Sequence, residues 1–413
     1  MSLNFTIQSL TFHFLLRSPL FTGNYQKFKL IKSSFDRFTN PILLQIPSFK
    51  ISDSSFSHGL SNAIYYNSAI SGKQKRITGS SVEVIKKCFF DEILSNNEDG
   101  GAIYIKSTSS HSSFLEIRSS YFYKCGCTKV NGVGGVAYLY FDFILTKGNC
   151  YDSCFSRESG GCFYIVNEKK DFTIFSNYST FCQPFVEGPY TQCSSVYQIA
   201  CTSTSSSTTS YIIGKENNIS SNFVPTISSN SLINVAVNEK MSSFLWSYAN
   251  FYNNTGGNLF LGGCPDLYKE DSFRFSYLNV AVNTFKPSVF LIGGKSCQIA
   301  HMLFYHNTFI TLVEKDTVTK VTLKECSFDI PKPDIDVTFK NNVFDLETMK
   351  TEHFAFLNTG NCFAKGSKTF SGLYIFLLIF VIFLAISIAC GILYCIHVHK
   401  EAKAKKAELK STT

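Results

Sequence analysis

Two adjacent acidic pairs and a set of closely spaced cysteines are the residues whose types and spacing could do chemistry. Glycoside hydrolysis needs two carboxylates held across the scissile bond. Glu98-Asp99 and Glu270-Asp271 supply adjacent acids, but each pair falls where a turn is expected and reads as a solvated turn. Cys125-Gly-Cys127, Cys150-x3-Cys154 and Cys162 follow one another closely. Zinc prefers paired C-x2-C knuckles, which are absent, so these cysteines read as disulfides or as buried thiols stacked in a ladder. His397 and His399 flank an apolar stretch and read as topology residues rather than metal ligands. No Ser-His-Asp arrangement and no phosphate-cradling Gly loop stands out. The expectation is a chain with no catalytic, metal or cofactor-binding residues, hence no enzyme.

The elements that must position these residues emerge from a repeat. Gly100-Gly-Ala-Ile-Tyr-Ile105 is followed by Gly134-Gly-Val-Ala-Tyr-Leu139 and Gly160-Gly-Cys-Phe-Tyr-Ile165. Weaker copies are Ser61-Asn-Ala-Ile-Tyr-Tyr66, Ser194-Ser-Val-Tyr-Gln-Ile199 and Gly256-Gly-Asn-Leu-Phe-Leu261. Between them fall short alternating strands that lead to an aromatic and often a Cys or Asn. Val82-Glu-Val-Ile85 before Cys88, and Phe114-Leu-Glu-Ile117 before Tyr121 to Cys125, are examples. A chain that winds once per 25 to 35 residues or so stacks each strand on its equivalent and builds internal side-chain ladders. Gly100, Gly101, Gly134, Gly135, Gly160, Gly161, Gly256 and Gly257 then become corner residues, where a side chain would clash or φ must be positive.

Composition agrees. Ser, Thr, Asn, Phe, Ile and Val dominate, with Phe at 41, Tyr at 21 and Trp at 1, which favours strands joined by polar turns. The net charge of +8 is partly in the C-terminal tail, and no Lys/Arg run with interleaved aromatics suggests a nucleic-acid groove. Cys201 to Ser210 is a low-complexity loop.

Residues 373–396 contain no charge and are long enough to cross a bilayer as a helix. The tail after them holds Lys400, Lys403, Lys405, Lys406 and Lys410 against Glu401 and Glu408, which places it in the cytoplasm. Cys390 and Cys395 lie in the apolar stretch, and Cys395 near its cytoplasmic end is a palmitoylation candidate. The other 13 of the 15 cysteines precede it, a density that suits an oxidising compartment, and their odd number leaves at least one unpaired within the chain. Asn4, Asn177, Asn218 and Asn253 open glycosylation sequons. Against these stands a poor signal peptide, because His13 and Arg17 interrupt the apolar residues near the start. A divergent signal, a start assigned too far downstream, and a tail anchor with a cytosolic domain are the three explanations.

The Gly-Gly-Ala-Ile and Phe-x-x-Asn elements, the latter at Phe251 to Asn254 and Phe304 to Asn307, resemble the repeat of the chlamydial polymorphic membrane proteins. They are also similar to the repeats of single-span surface proteins of trichomonad protozoa. The resemblance covers roughly residues 28 to 345, and only Gly100-Gly-Ala-Ile103 matches strictly. It implies a right-handed parallel β-helix used in adhesion or surface display. The chlamydial proteins end in a barrel and this chain in an apolar helix, so the protozoan architecture fits better. Pectin hydrolases of that fold resemble one another in clustered Asp motifs that do not occur here.

The expected architecture is all-β: a weak or absent signal in 1–27, an irregular right-handed parallel β-helix over 28–359, a connector at 360–372, a transmembrane helix at 373–396 and a basic tail at 397–413. The expected protein is a type I single-pass plasma-membrane protein, with a tail anchor as the alternative. Its partners are the lipid bilayer and host-cell, matrix or glycan ligands, without nucleic acid. The rival function is a membrane-tethered carbohydrate-active enzyme. Two or three carboxylates, or a basic residue with an acid cluster, converging on one groove would mark it.

Overall fold

Alternation decides the strands. In β4 (Lys27–Ile31) the sequence Lys-Phe-Lys-Leu-Ile buries Phe28 and Leu30 completely and turns Lys27 outward. The same period of two recurs along the chain. The computed structural model describes residues 4–15, 20–23, 27–46, 48–67, 81–106, 113–140, 143–167, 171–176, 179–181, 195–201, 210–215, 218–220, 230–237, 241–262 and 272–348. No helix occurs among them. The chain divides into two compact units, Met1–Cys362 and Phe363–Thr413. The second, with the apolar stretch and the tail, lies outside the described residues, as does the connector.

The first three repeats set the pattern. They comprise β1 (Asn4–Gln8), β2 (Thr11–Leu15) and β3 (Phe21–Thr22), then β4, β5 (Ser34–Phe38) and β6 (Leu43–Leu44), then β7 (Phe49–Ser52), β8 (Ser55–Ser57) and β9 (Ile64–Asn67). Each strand pairs in parallel with its equivalent in the next repeat: β1 with β4 with β7, β2 with β5 with β8, and β3 with β6 with β9. Every strand pairing among the described residues is parallel, and the runs reach Thr338–Lys340. In these repeats the first two strands belong to a 22-stranded sheet and the third to an 11-stranded sheet, and later repeats add short strands that form separate three- and two-stranded sheets.

Two points differ from the sequence reading. The strands begin at Asn4, ahead of residue 28, because β1 and β2 supply partners for β4 and β5. The repeat length is also looser than 25 to 35. In-register equivalents lie 16 residues apart from Leu323 to Phe339 and 39 apart from Ile64 to Ile103. Only the strands must stay in register, so the connections can absorb the difference.

Between the strands the backbone turns through left-handed residues. Lys32, Asp53, Lys87 and Ser119 have φ of 50–53° between the first and second strands. Arg37 near the end of β5, and His58, Glu92, Lys124 and Ser153 just after their second strands, have φ of 48–56°. Such conformations are uphill for residues with a Cβ. The following residue offsets this with a ladder. Ser33 N donates to Ser54 Oγ at 3.1 Å, and Ser54 Oγ donates to Ser52 O at 2.9 Å. Ser120 N donates to Asn149 Oδ1 at 3.0 Å, while Asn149 Nδ2 donates to Ile117 O at 2.8 Å. Inside, Phe35, Phe56, Phe90, Phe122 and Tyr151 stack with centroids 5.3, 5.1, 4.6 and 5.4 Å apart, close to the spacing of the strands that carry them.

Candidate functional site

The second strand of each repeat turns one column of side chains outward. Register aligns His13 with Asp36, Asp36 with Ser57, Ser57 with Asp91, Asp91 with Tyr123 and Tyr123 with Asp152. The adjoining corner contributes Arg37, His58, Glu92 and Lys124, whose left-handed backbone projects them beside this column. Acid and base alternate across repeats. His13 Nδ1 lies 3.5 Å from Asp36 Oδ2, and His58 Nδ1 lies 2.6 Å from Asp36 Oδ1. His58 Nε2 lies 3.6 Å from Glu92 Oε2, and Lys124 Nζ donates to Glu92 Oε1 at 2.9 Å.

Two aspartates of the column, Asp36 and Asp91, are shifted in opposite directions. Burial pushes the Asp36 carboxyl up, but hydrogen bonds from His58, Ser57 and His13 outweigh it and hold the group below its ordinary value. Asp91 is pushed up by burial and by the charge of Glu92, with His58 and Lys124 offsetting part of this. Divergent carboxylates of this kind are what acid/base chemistry requires, although structural ion networks perturb carboxyls too. Asp36 and Asp91 stand two strand spacings apart, about 9.5 Å along the column.

Aromatic rings continue the same face. Phe89 and Tyr121 stack at 5.4 Å with planes 8° apart, and Tyr121 donates to Asp152 Oδ2 at 3.1 Å. Lys124 Nζ sits 5.0 Å from the Tyr123 ring centroid. Phe89, Tyr121, Tyr123 and Cys150 form a cluster separate from the main core.

The Gly-Gly copies build a second outward feature. Gly100, Gly134 and Gly160 have φ of 71°, 73° and 66°, so the first glycine of each pair makes the left-handed turn. The second answers a close approach: a Cβ on Gly101 would lie 2.0 Å from Gly135 O, and one on Gly135 would lie 2.1 Å from Gly161 O. The strand that follows sends one Tyr outward. Tyr65, Tyr104, Tyr138 and Tyr164 stack at 4.8, 5.0 and 5.6 Å, with planes within 12° of parallel. Burial raises the phenols of Tyr65, Tyr104 and Tyr164, so they stay neutral hydrogen-bonding groups. Their faces are taken by one another, which leaves ring edges and hydroxyls as the available surface. Gly256 and Gly257 differ: neither has positive φ, and Gly256 lies in the strand Thr255–Gly256, which pairs with Thr284–Phe285.

The singled-out acids of Glu98-Asp99 are in a turn, as expected, but they are not simply solvated. Asp99 Oδ2 accepts from Lys129 Nζ at 3.2 Å, and Oδ1 accepts from Val133 N at 3.3 Å. Burial raises the Glu98 carboxyl. Asp99 thereby ties one repeat to the next. Asp91-Glu92 is a third adjacent acidic pair, which the sequence reading overlooked although its signal is the same.

Both expected fates of cysteine occur. Cys150 and Cys162 are disulfide-bonded. Cys88, Cys125, Cys127, Cys154, Cys297 and Cys326 are buried free thiols. Cys125 and Cys154 occupy equivalent positions and form the anticipated ladder, each Sγ reaching a carbonyl of the preceding repeat, Phe90 O and Phe122 O, at 3.6 Å. Burial pushes Cys88 and Cys127 up to about 12 and Cys326 up to about 11. Among the sequons, Asn4 and Asn253 are exposed. Asn218 lies in the strand Asn218–Ser220. Asn177, Glu270, Asp271, Cys390, Cys395, His397 and His399 lie outside the described residues.

Among the described residues, no three of His, Cys, Asp and Glu are grouped to hold a metal ion, and no helix is long and apolar enough to cross a membrane. Compared with protein-family models, with curated proteins and with solved structures, the chain finds no match.

Proposed function

We propose that the parallel sheets are the walls of one irregular right-handed parallel β-helix, and that this chain is a membrane-anchored surface protein acting in adhesion or display. The observation that carries this reading is the in-register parallel pairing of each strand with its equivalent one repeat on, from Asn4 to Lys340. A single winding chain meets that pattern with one short connection per corner, and right-handed winding is the sense that strand twist favours. The result is long outer columns whose residues change from repeat to repeat, suited to other cells, matrix or glycans. The uncharged stretch 373–396 and its Lys-rich flank support a single-pass anchor with the large region outside. The disulfides of Cys150 and Cys162 and the exposed sequon residues Asn4 and Asn253 support an exterior, oxidising location. An antibody against residues 100 to 170 should label intact cells that express the full chain. Staining only after permeabilisation overturns the topology and the surface role together.

One observation favours a second reading, a membrane-tethered carbohydrate-active enzyme. Asp36 and Asp91 share an outward column at about the 6.5–9.5 Å separation of inverting glycosidase pairs, with opposite carboxyl shifts and an aromatic face beside them. In this reading Asp91, the more easily protonated, is the acid towards the leaving oxygen and Asp36 the base towards water. The saturation of Asp36 and Glu92 by His58 and Lys124 weighs against it and keeps adhesion first. Release of reducing ends from a glycan panel, abolished by both Asp36→Asn and Asp91→Asn, would establish the enzyme. Absence of release by the wild-type chain across that panel removes this reading.

A further inference from the structure

Cations that are scattered along the sequence converge on the outer side of the first strands. In the strands Ser81–Lys86, Ser113–Arg118 and Phe143–Lys147, register sets Lys86 beside Arg118 and Arg118 beside Lys147. One position over on the same face, Lys29 of β4 lies beside Lys50 of β7, and β7 pairs with Ser81–Lys86. The residues that alternate with them, Leu30, Ile51, Ile85 and Ile117, are fully buried, so the cations point outward. The corners add to this face. In a continuing strand the residue after Lys86 would turn inward, but φ of 53° at Lys87, and of 50° at Lys32, leaves both of these lysines exposed.

The face has one sign. From β4 to Phe143–Lys147, with Lys27 included, eight basic residues face outward against two acids, Asp53 and Glu116. Glu83 does not count, because it is 3% exposed and in register with the buried Leu115. Glu116 is engaged by Arg118 at 3.2 Å. None of the lysines on this face makes an ion pair among the described residues, whereas Lys124, Lys129, Lys315 and Lys324 elsewhere each hold an acid. Like charges directly opposite on paired strands weaken the pairing. Here they follow one another at the strand spacing of about 4.8 Å. Anions laid over the face would relieve that repulsion. The second-strand column has no such need, because His58 and Lys124 already neutralise Asp36 and Glu92.

We propose that this face binds a linear sulfated polysaccharide that runs across the strands, so that successive anionic groups meet successive cations. From Lys29 to Lys147 the track covers four strand spacings, roughly 19 Å. The inference rests on the surface-protein reading given above. The anionic leaflet of a plasma membrane faces the cytoplasm, so for an exterior region the extended polyanion is an acidic glycan rather than lipid or nucleic acid.

The test is binding of the detergent-solubilised full chain to immobilised heparin, with desulfated heparin and a DNA duplex as competing probes. The parent should bind heparin at roughly physiological salt, about 0.15 M, and be released as salt rises. Lys86→Gln with Lys147→Gln should weaken binding at least about tenfold. Replacing Lys403, Lys405 and Lys406 of the basic tail by Gln should leave it unchanged. The Lys86→Gln, Lys147→Gln protein should unfold at the same or a higher denaturant concentration than the parent, since it loses like charges from paired strands. Its weaker binding is then not a failure to fold. No retention of the parent on heparin overturns the proposal. So does full retention of the Lys86→Gln, Lys147→Gln protein, loss of binding by the tail variant, or equal binding to desulfated heparin or to the duplex. Intact-cell labelling without heparin binding would sink this partner and leave the surface role standing. Heparin binding by a chain that stains only after permeabilisation would sink both the surface role and the glycan, and assign the face to a polyanion of the cytosol.

Discussion

Asn283 Oδ1 accepts two hydrogen bonds from Asn254 one repeat earlier, from its backbone N and its Nδ2, both at 2.9 Å. Asn283 Nδ2 in turn donates to Phe251 O at 2.9 Å. Asn307 repeats the arrangement, accepting from Asn283 N and Nδ2 and donating to Val280 O. Asn283 thus clamps the corner of the preceding repeat and is itself clamped by Asn307.

Replacing Asn283 by Ala leaves a buried N–H and a buried carbonyl without their partner. The expected loss is about 3 kcal/mol, read as a lower denaturant midpoint. Asn283→Asp keeps the acceptor but loses the donor to Phe251 O, and should fall between. Equal stability of all three proteins would contradict the clamp.

Gly101→Ala places a methyl against Gly135 O in the neighbouring repeat, where the approach of 2.0 Å involves backbone that no side-chain rotation can relieve. Destabilisation of about 3 kcal/mol or more is expected. At Gly134 the same change imposes a left-handed φ of 73° on alanine and brings Cβ within 2.4 Å of Ala137 O. Unfolding curves of the two variants measure both effects, and a neutral Gly101→Ala would remove the close-approach argument.

The buried thiols should be chemically silent. Cys88 and Cys127 are raised to about 12 and are buried, and reactivity follows the thiolate. A thiol reagent at pH 8 should leave Cys88, Cys125, Cys127, Cys154, Cys297 and Cys326 unmodified in the native chain and modify them in denaturant, as mapped by mass spectrometry.

The opposed carboxyls give opposite pH dependences. Asp36 sits below its ordinary 3.8 in the fold, so its contribution is present above that value and lost as pH falls through the folded value. Asp91 sits above 3.8, so its contribution is present below that value and lost as pH rises through the folded value. Asp36→Asn should therefore be less stable than the parent at pH 6, with the gap closing below about pH 4. Asp91→Asn should improve relative to the parent as pH rises above about 4. Stability measured at several pH values decides, and parallel curves would refute both assignments.

Asn253 is exposed at a left-handed corner, φ 53°, with Thr255 two residues on. If the large region enters the secretory pathway, Asn253→Asp should remove one glycan, seen as a mobility shift that matches enzymatic deglycosylation at that site. Aspartate tolerates the same backbone conformation, so the variant should fold.

Local alternation made the strands readable in advance. Phe28 and Leu30, or Leu115 and Ile117, bury because every second residue faces the same way. The Gly-Gly copies marked corners because positive φ and close backbone approach leave few other residues possible, and Gly100, Gly134 and Gly160 meet that need. The same reasoning over-reached at Gly256, where an ordinary strand passes, and it began too late, because β1 and β2 carry no Gly-Gly signal. Tyr65, Tyr104, Tyr138 and Tyr164 were visible as the shared Tyr of those copies, but their stacking was not, since it depends on unequal connections returning to one register.

The sequence by itself determined which side of each strand faces inward, that Gly100, Gly134 and Gly160 make left-handed turns, and that repeats succeed one another, because each follows from residues within a few positions. Only the tertiary structure decided that His13, Asp36, Ser57 and Asp91 share an outward column and that His58 lies between Asp36 and Glu92. Those neighbours are brought together by parallel register across repeats of different length, and register is a property of paired strands rather than of spacing along the chain.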